Sequence, residues 1–162
     1  MKSHAGIFSF TFASLVFAAC ASLQVQAQAQ AQDGAPAVTE VWVKPTVPGG
    51  SVSAAYMSIK SAKPLKLVKA ETPAAALVEI HNMNMKDGVM TMKAVDAVDI
   101  PADKTVELKP GGLHVMLMNV GKAIKAGDKV PLVLTFEGAD RKPLRVKIDA
   151  VARDRPASGP AH

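Results

Sequence analysis

Two histidines and a cluster of methionines are the residues of this chain that invite chemistry. His4 lies near the start and His162 is the last residue, so His81 and His114 are the histidines within the body of the sequence. Apart from Met1 and Met57, all of the eight methionines fall between residues 83 and 118: Met83, Met85, Met90, Met92, Met116 and Met118. Thioethers are soft, neutral donors that favour Cu(I), and imidazole binds copper readily. Zinc prefers thiolate, imidazole or carboxylate, and calcium prefers oxygen, so neither explains the methionines. A thioether needs no deprotonation, which confines any pH dependence of such a site to its histidines.

Each residue also has an ordinary reading. Methionine fills cores flexibly, and a single histidine on a strand is usually satisfied by a hydrogen bond. For Met85 and Met118, packing in the core or at its rim is the expected role. The argument for a site is the coincidence of the methionines with His81 and His114.

The elements that must position them are strands. Short segments rich in Val, Leu, Ile and Thr run over Val38–Val43, Ala54–Ile59, Leu65–Ala70, Leu77–Met83, Val89–Ala94, Thr105–Leu108, Leu113–Met118, Val130–Phe136 and Leu144–Val151. Turn signals separate them, among them Pro48-Gly49-Gly50, Asp87-Gly88, Pro110-Gly111-Gly112 and Gly127-Asp128. Thr72–Leu77 is expected to form a helical turn, with Thr72 as N-cap and Pro73 at its first position. No segment sustains a helical period, and the pattern predicts an all-β antiparallel sandwich or barrel.

Strand periodicity sorts the donors. Residues two apart share a face, which groups His81 with Met83 and Met85, Met90 with Met92, and His114 with Met116 and Met118. Asp87-Gly88 is a two-residue hairpin signal, so Met85 should face Met90 and Met83 should face Met92. Leu113, Val115 and Leu117 point the other way and supply core.

The ends have a different character. Lys2 precedes a charge-free apolar run from Ala5 to Leu23, followed by Gln/Ala repeats from Gln24 to Gln32. This is the layout of a secretory leader, with Val25-Gln26-Ala27 suiting a peptidase. The expected organisation is a signal peptide over 1–27, a low-complexity linker over 28–37, a β domain over 38–152 and a disordered tail over 153–162. Such a protein is periplasmic and has no membrane span after processing. Phe17-Ala18-Ala19-Cys20 loosely resembles a bacterial lipoprotein box, with Phe where Leu or Val is usual. Lipidation of Cys20 is therefore the less favoured route.

Cys20 is the one cysteine. The folded region thus has no disulfide, no thiolate zinc site, no thiol nucleophile and no blue-copper centre. The formal net charge of +5 comes from lysines scattered singly, such as Lys60, Lys63, Lys66 and Lys69, with few aromatics to stack bases. Solvated strand faces explain them better than nucleic acid does. With just His81 and His114 inside, no Ser/His/Asp arrangement can be argued, and the chain is not expected to be an enzyme.

The segments Val78–Met83, Gly88–Met92 and Leu108–Met118 resemble the periplasmic PCu(A)C copper chaperones. That family's pattern is a histidine, ten residues, a methionine, twenty-one residues, then His-x-Met. His81, Met92, His114 and Met116 match it, and the likeness runs from about Ala54 through Phe136. The resemblance implies a cupredoxin-like Greek-key fold and a solvent-near Cu(I) site made of those four residues. It also implies delivery of copper to the CuA centre of cytochrome c oxidase (subunit II), beside a Sco-type thiol protein. Contact of Met83 or Met90 with copper stays open, as does storage or resistance in place of delivery. The competing readings are an electron carrier on the same fold, which a Met-rich set favouring Cu(I) alone does not suit, and a metal-free adaptor using the methionines as a soft docking surface. Some members carry a His/Met-rich C-terminal extension for Cu(II); this tail offers His162 alone.

Overall fold

The computed structural model describes residues 34–154. The expected leader, most of the expected linker, and the tail from residue 155 lie outside the described residues, and so do Cys20 and His162. Ten strands follow one another: β1 Ala37–Val43, β2 Val52–Lys60, β3 Leu65–Glu71, β4 Ala75–Lys86, β5 Val89–Ala94, β6 Val98–Ile100, β7 Thr105–Leu108, β8 Leu113–Val120, β9 Lys129–Glu137 and β10 Pro143–Ala152. Among the described residues there is no helix.

The strands form one sheet in the order β5-β4-β8-β2-β1-β10-β9-β3-β6, with β7 paired to β2. All pairings between named strands are antiparallel except that of β1 with β10. The sheet folds around a main core, with Trp42, Ala54 and Tyr56 forming a small separate cluster. Val43, Ala55, Met57, Ile80, Val115 and Leu117 from one half meet Leu67, Leu132, Leu134, Phe136 and Ala150 from the other. The alternation in β9 shows the cause: Val130, Leu132, Leu134 and Phe136 are buried at every second position, between exposed or partly exposed neighbours.

Two expectations need correction. Thr72–Leu77 is not a helical turn. The Thr72 hydroxyl does accept from the Ala74 N–H at 3.2 Å, as a cap would, but it also donates to the Pro131 carbonyl at 2.7 Å. That cross-link holds a turn against β9, and β4 starts at Ala75. Pairing with β8 from Ala75 onward supplies backbone partners that a lone helical turn could not. The second correction is β6, which lies against β3 with Val98 and Ile100 buried. At 3 residues it is too short to carry a readable alternation.

Candidate functional site

The face of the half-sheet turned away from the core carries the donors. Asp87 and Gly88 both have positive φ, 52° and 75°, the pair of values a type I′ turn demands. Its geometry sets the β4–β5 register: Met85 lies opposite Met90, Met83 opposite Met92, and His81 opposite Ala94. On its other side β4 pairs with β8, where His81 lies directly opposite His114 and Glu79 opposite Met116. The two imidazole rings are 5.9 Å apart, centre to centre, and tilted by 59°.

Each ring is held by a partner on one nitrogen. His114 is 3% exposed, and its Nδ1 lies 2.9 Å from the Gly112 carbonyl, to which it donates. Its Nε2 is thereby left with the lone pair. The same carbonyl accepts from the Met83 N–H at 3.1 Å, tying the loop before β8 to β4. That loop follows directly from Lys109-Pro110-Gly111-Gly112. The Gly112 N–H closes on the Lys109 carbonyl at 3.1 Å, and Gly111 takes φ of 85°. Pro at the second position and a positive-φ Gly at the third make a type II turn.

His81 is the mirror case. Its Nε2 donates to Glu79 Oε2 at 2.8 Å, and its Nδ1 is buried with no hydrogen-bond partner. A buried polar atom left unpaired costs about 1–3 kcal/mol unless something else occupies it. Holding one ring nitrogen on a carboxylate or carbonyl while the other stays free is how metal-binding histidines are oriented.

A cleft of about 290 Å³ opens on this face, with His114, Met83, Met92, Met116 and Tyr56 in its wall. Two larger hollows, of about 510 and 570 Å³, have no histidine or methionine in their walls. Of the sequence-derived set, Met92, His114 and Met116 thus share the cleft, and His81 abuts it through His114. Met92 is 43% exposed and Met116 partly so. Met118 is half-buried one step further along β8, which agrees with packing at the rim. Met85 does not pack: at 70% exposed it projects from the hairpin tip, beyond Asn82, where the pairing of β4 with β8 ends. Among the described residues no three of His, Cys, Asp and Glu are placed to hold a metal ion between them. Two imidazoles with neutral thioethers suit a soft ion.

Sequence reasoning missed three parts of this arrangement. Glu79, two residues before His81 and so on its face, was legible from strand periodicity. Trp42 and Tyr56 were not. They stack at 4.3 Å between ring centres, and Tyr56 stands 6.3 Å from His114, so Trp42, Tyr56, His114 and His81 form a row across β1, β2, β8 and β4. Burial raises the Tyr56 pKa above its usual value.

Residues 36–148 match the family described as "Putative lipoprotein LpqE-like". "Putative lipoprotein Lxx21020" of Leifsonia xyli subsp. xyli is 32% identical over 114 residues, covering 68% of this chain and 68% of that protein. The solution structure of CuI-DR1885 from Deinococcus radiodurans is 33% identical, with a TM-score of 0.50 over 79% of this chain and 85% of that one. The copper-bound PCuAC domain from PmoF2 superposes with a TM-score of 0.59 at 23% identity, over 73% of this chain and 92% of that domain, a likeness of fold. The fold is thus the all-β, cupredoxin-like one of PCuAC domains. With the match spanning most of its length, this chain belongs to the LpqE-like family.

Proposed function

We propose that this protein is an exported copper carrier, not an enzyme. It holds one Cu(I) through His81, Met92, His114 and Met116, and gives the ion up to a copper enzyme. The observation that carries the reading is the pair of imidazoles facing each other across β4 and β8. One has its Nδ1 buried without a partner, and the other has its Nδ1 engaged by a carbonyl. Glu79 and Gly112 set the tautomers before any ion arrives, so binding loses little to ring ordering. The similar CuI-DR1885, at 33% identity, is a Cu(I) form, which supports the choice of ion.

The division of donors suits transfer. The imidazoles are largely covered, while Met92 is exposed and Met116 partly so. An incoming ligand from an acceptor can displace the thioethers first, while the histidines still hold the ion. Copper leaves as Cu(I), so the exchange moves no electron. The thioethers carry no proton to release on loading. The acceptor we favour, from the resemblance to PCu(A)C proteins, is the CuA centre of cytochrome c oxidase subunit II, with a Sco-type thiol protein beside it. Export to the periplasm follows from the apolar leader, and the lipoprotein naming of the family adds weight to Cys20 as an anchor. No helix of the described residues is long and apolar enough to cross a membrane.

Competition against a Cu(I) chelator tests the reading. One tightly held Cu(I) per chain is expected, with Zn(II) far weaker; zinc competing on equal terms overturns it. Mass spectrometry of the mature chain reads out export, with an intact Met1 as the contrary result.

A further inference from the structure

We propose that the tip of the β4–β5 hairpin is a second soft-metal site, built from Met85 and Met90. A thiophilic monovalent ion passes through it on its way to or from the histidines. This rests on the reading of His81, Met92, His114 and Met116 as the principal site.

The arrangement is a ladder. Met85 lies directly opposite Met90, and one rung inward Met83 lies directly opposite Met92. Side chains paired across antiparallel strands have Cβ atoms about 5 Å apart, within reach of two thioethers sharing one ion. Strand periodicity puts all four on the face that carries His81, with His114 opposite it on β8. The other face of the ribbon carries Asn82, Asn84, Thr91 and Lys93, so polar side chains and thioethers are largely segregated.

Packing does not account for the outer rung. Met85 is 70% and Met90 57% exposed. An apolar side chain left in water gains little of the stabilisation that burial would bring. What the outer pair does offer is two neutral soft donors at the most accessible point of the donor face. Capture there releases no proton.

Transfer inward is ligand exchange alone. Bonds from the ion to the Met85 and Met90 sulfurs break as bonds to the Met83 and Met92 sulfurs form, with no change in oxidation state. Successive rungs are about 7 Å apart along the strand, and the three rotatable bonds of methionine close much of that gap. Two thioethers bind more weakly than a set that includes imidazoles, so the ion runs toward His81 and His114.

The test is titration of the full mature protein with Ag(I), a redox-inert stand-in for Cu(I), following the methionine Cε methyl groups by NMR. The first step should shift Met92 and Met116. A second, weaker step should shift Met85 and Met90 together. Substituting both outer residues (Met85→Leu, Met90→Leu) should abolish the second step and leave the first step and thermal unfolding unchanged. Met85 and Met90 methyls that stay still at every ratio, while Met92 and Met116 respond, overturn this site alone. So does a single step moving all four, a second step that survives the double substitution, or slower transfer to an acceptor with an unchanged Ag(I) titration, which marks the tip as a protein-docking surface. If Met85 and Met90 respond first and Met92 and Met116 never do, the principal site itself is wrongly assigned.

Discussion

Strand β8 has two faces that answer to different demands. Val115 and Leu117 point inward and have no exposed surface, whereas His114, Met116 and Met118 alternate with them on the outer face. The inner row closes against Phe136, Leu132 and Leu134 from the far half of the sheet. The outer row meets the cleft, Tyr56 and the β4 donors. Neighbours about 3.4 Å apart along the chain thus belong to separate environments. Stability and ligation can therefore be altered one at a time, which a site buried in the core would not permit.

The largest effect should come from breaking the inner row. Leu117→Ala removes a fully buried side chain from a closed core and should destabilise the fold by about 2–5 kcal/mol. Urea unfolding of the apo protein measures this, and the folded fraction should keep parental Cu(I) affinity. His114→Ala should do the reverse, with the greatest loss of Cu(I) affinity of any single change. The Gly112 carbonyl keeps the Met83 N–H as partner, so its own hydrogen bonding is not abolished. A His114→Ala variant that binds Cu(I) like the parent would show that the outer row is mere covering.

Met92→Leu and Met116→Leu sharpen the contrast. Leucine nearly conserves methionine's volume, so each should cost under ~1.5 kcal/mol of stability. Both should weaken Cu(I) binding by less than His114→Ala, because Met83, Met90 or Met118 can swing in. Chelator competition and thermal unfolding on the same preparations separate ligation from packing.

The smallest effect concerns the aromatic edge of the same face. Burial raises the Tyr56 pKa, so the folded state holds its phenolic proton more tightly than the unfolded state does. The stabilisation is complete below the unfolded tyrosine value, near pH 10, and fades as pH climbs through the higher folded value. In Tyr56→Phe the loss of stability between about pH 9 and 11 should be shallower than in the parent, as read from unfolding midpoints across that range.

Local rules made much of this legible in the sequence. A side chain's face depends on the parity of its position, so His114 and Met116 could be separated from Val115 and Leu117 with no tertiary information. The hairpin register was legible too, since Asp87-Gly88 allows essentially one way for its flanking strands to meet, and the observed pairs Met83–Met92 and Met85–Met90 are those expected. Met85 shows the limit of such rules. Parity assigned its face correctly, but whether anything covers that face depends on the pairing of β4 with β8 ending at Asn82, and that register is a property of the whole sheet.

What the sequence determined by itself was an all-β chain, its alternating faces and the β4–β5 turn, because each follows from interactions between residues close along the backbone. The meeting of His81 with His114, the stack of Trp42 on Tyr56, and the place of β6 beside β3 were decided only by tertiary structure. Each joins segments far apart in sequence, where many registers satisfy the same periodicity. The burial of one shared core around Val115, Leu117 and Phe136 selects the register that is realised, and with it the nitrogen of His81 that is left free.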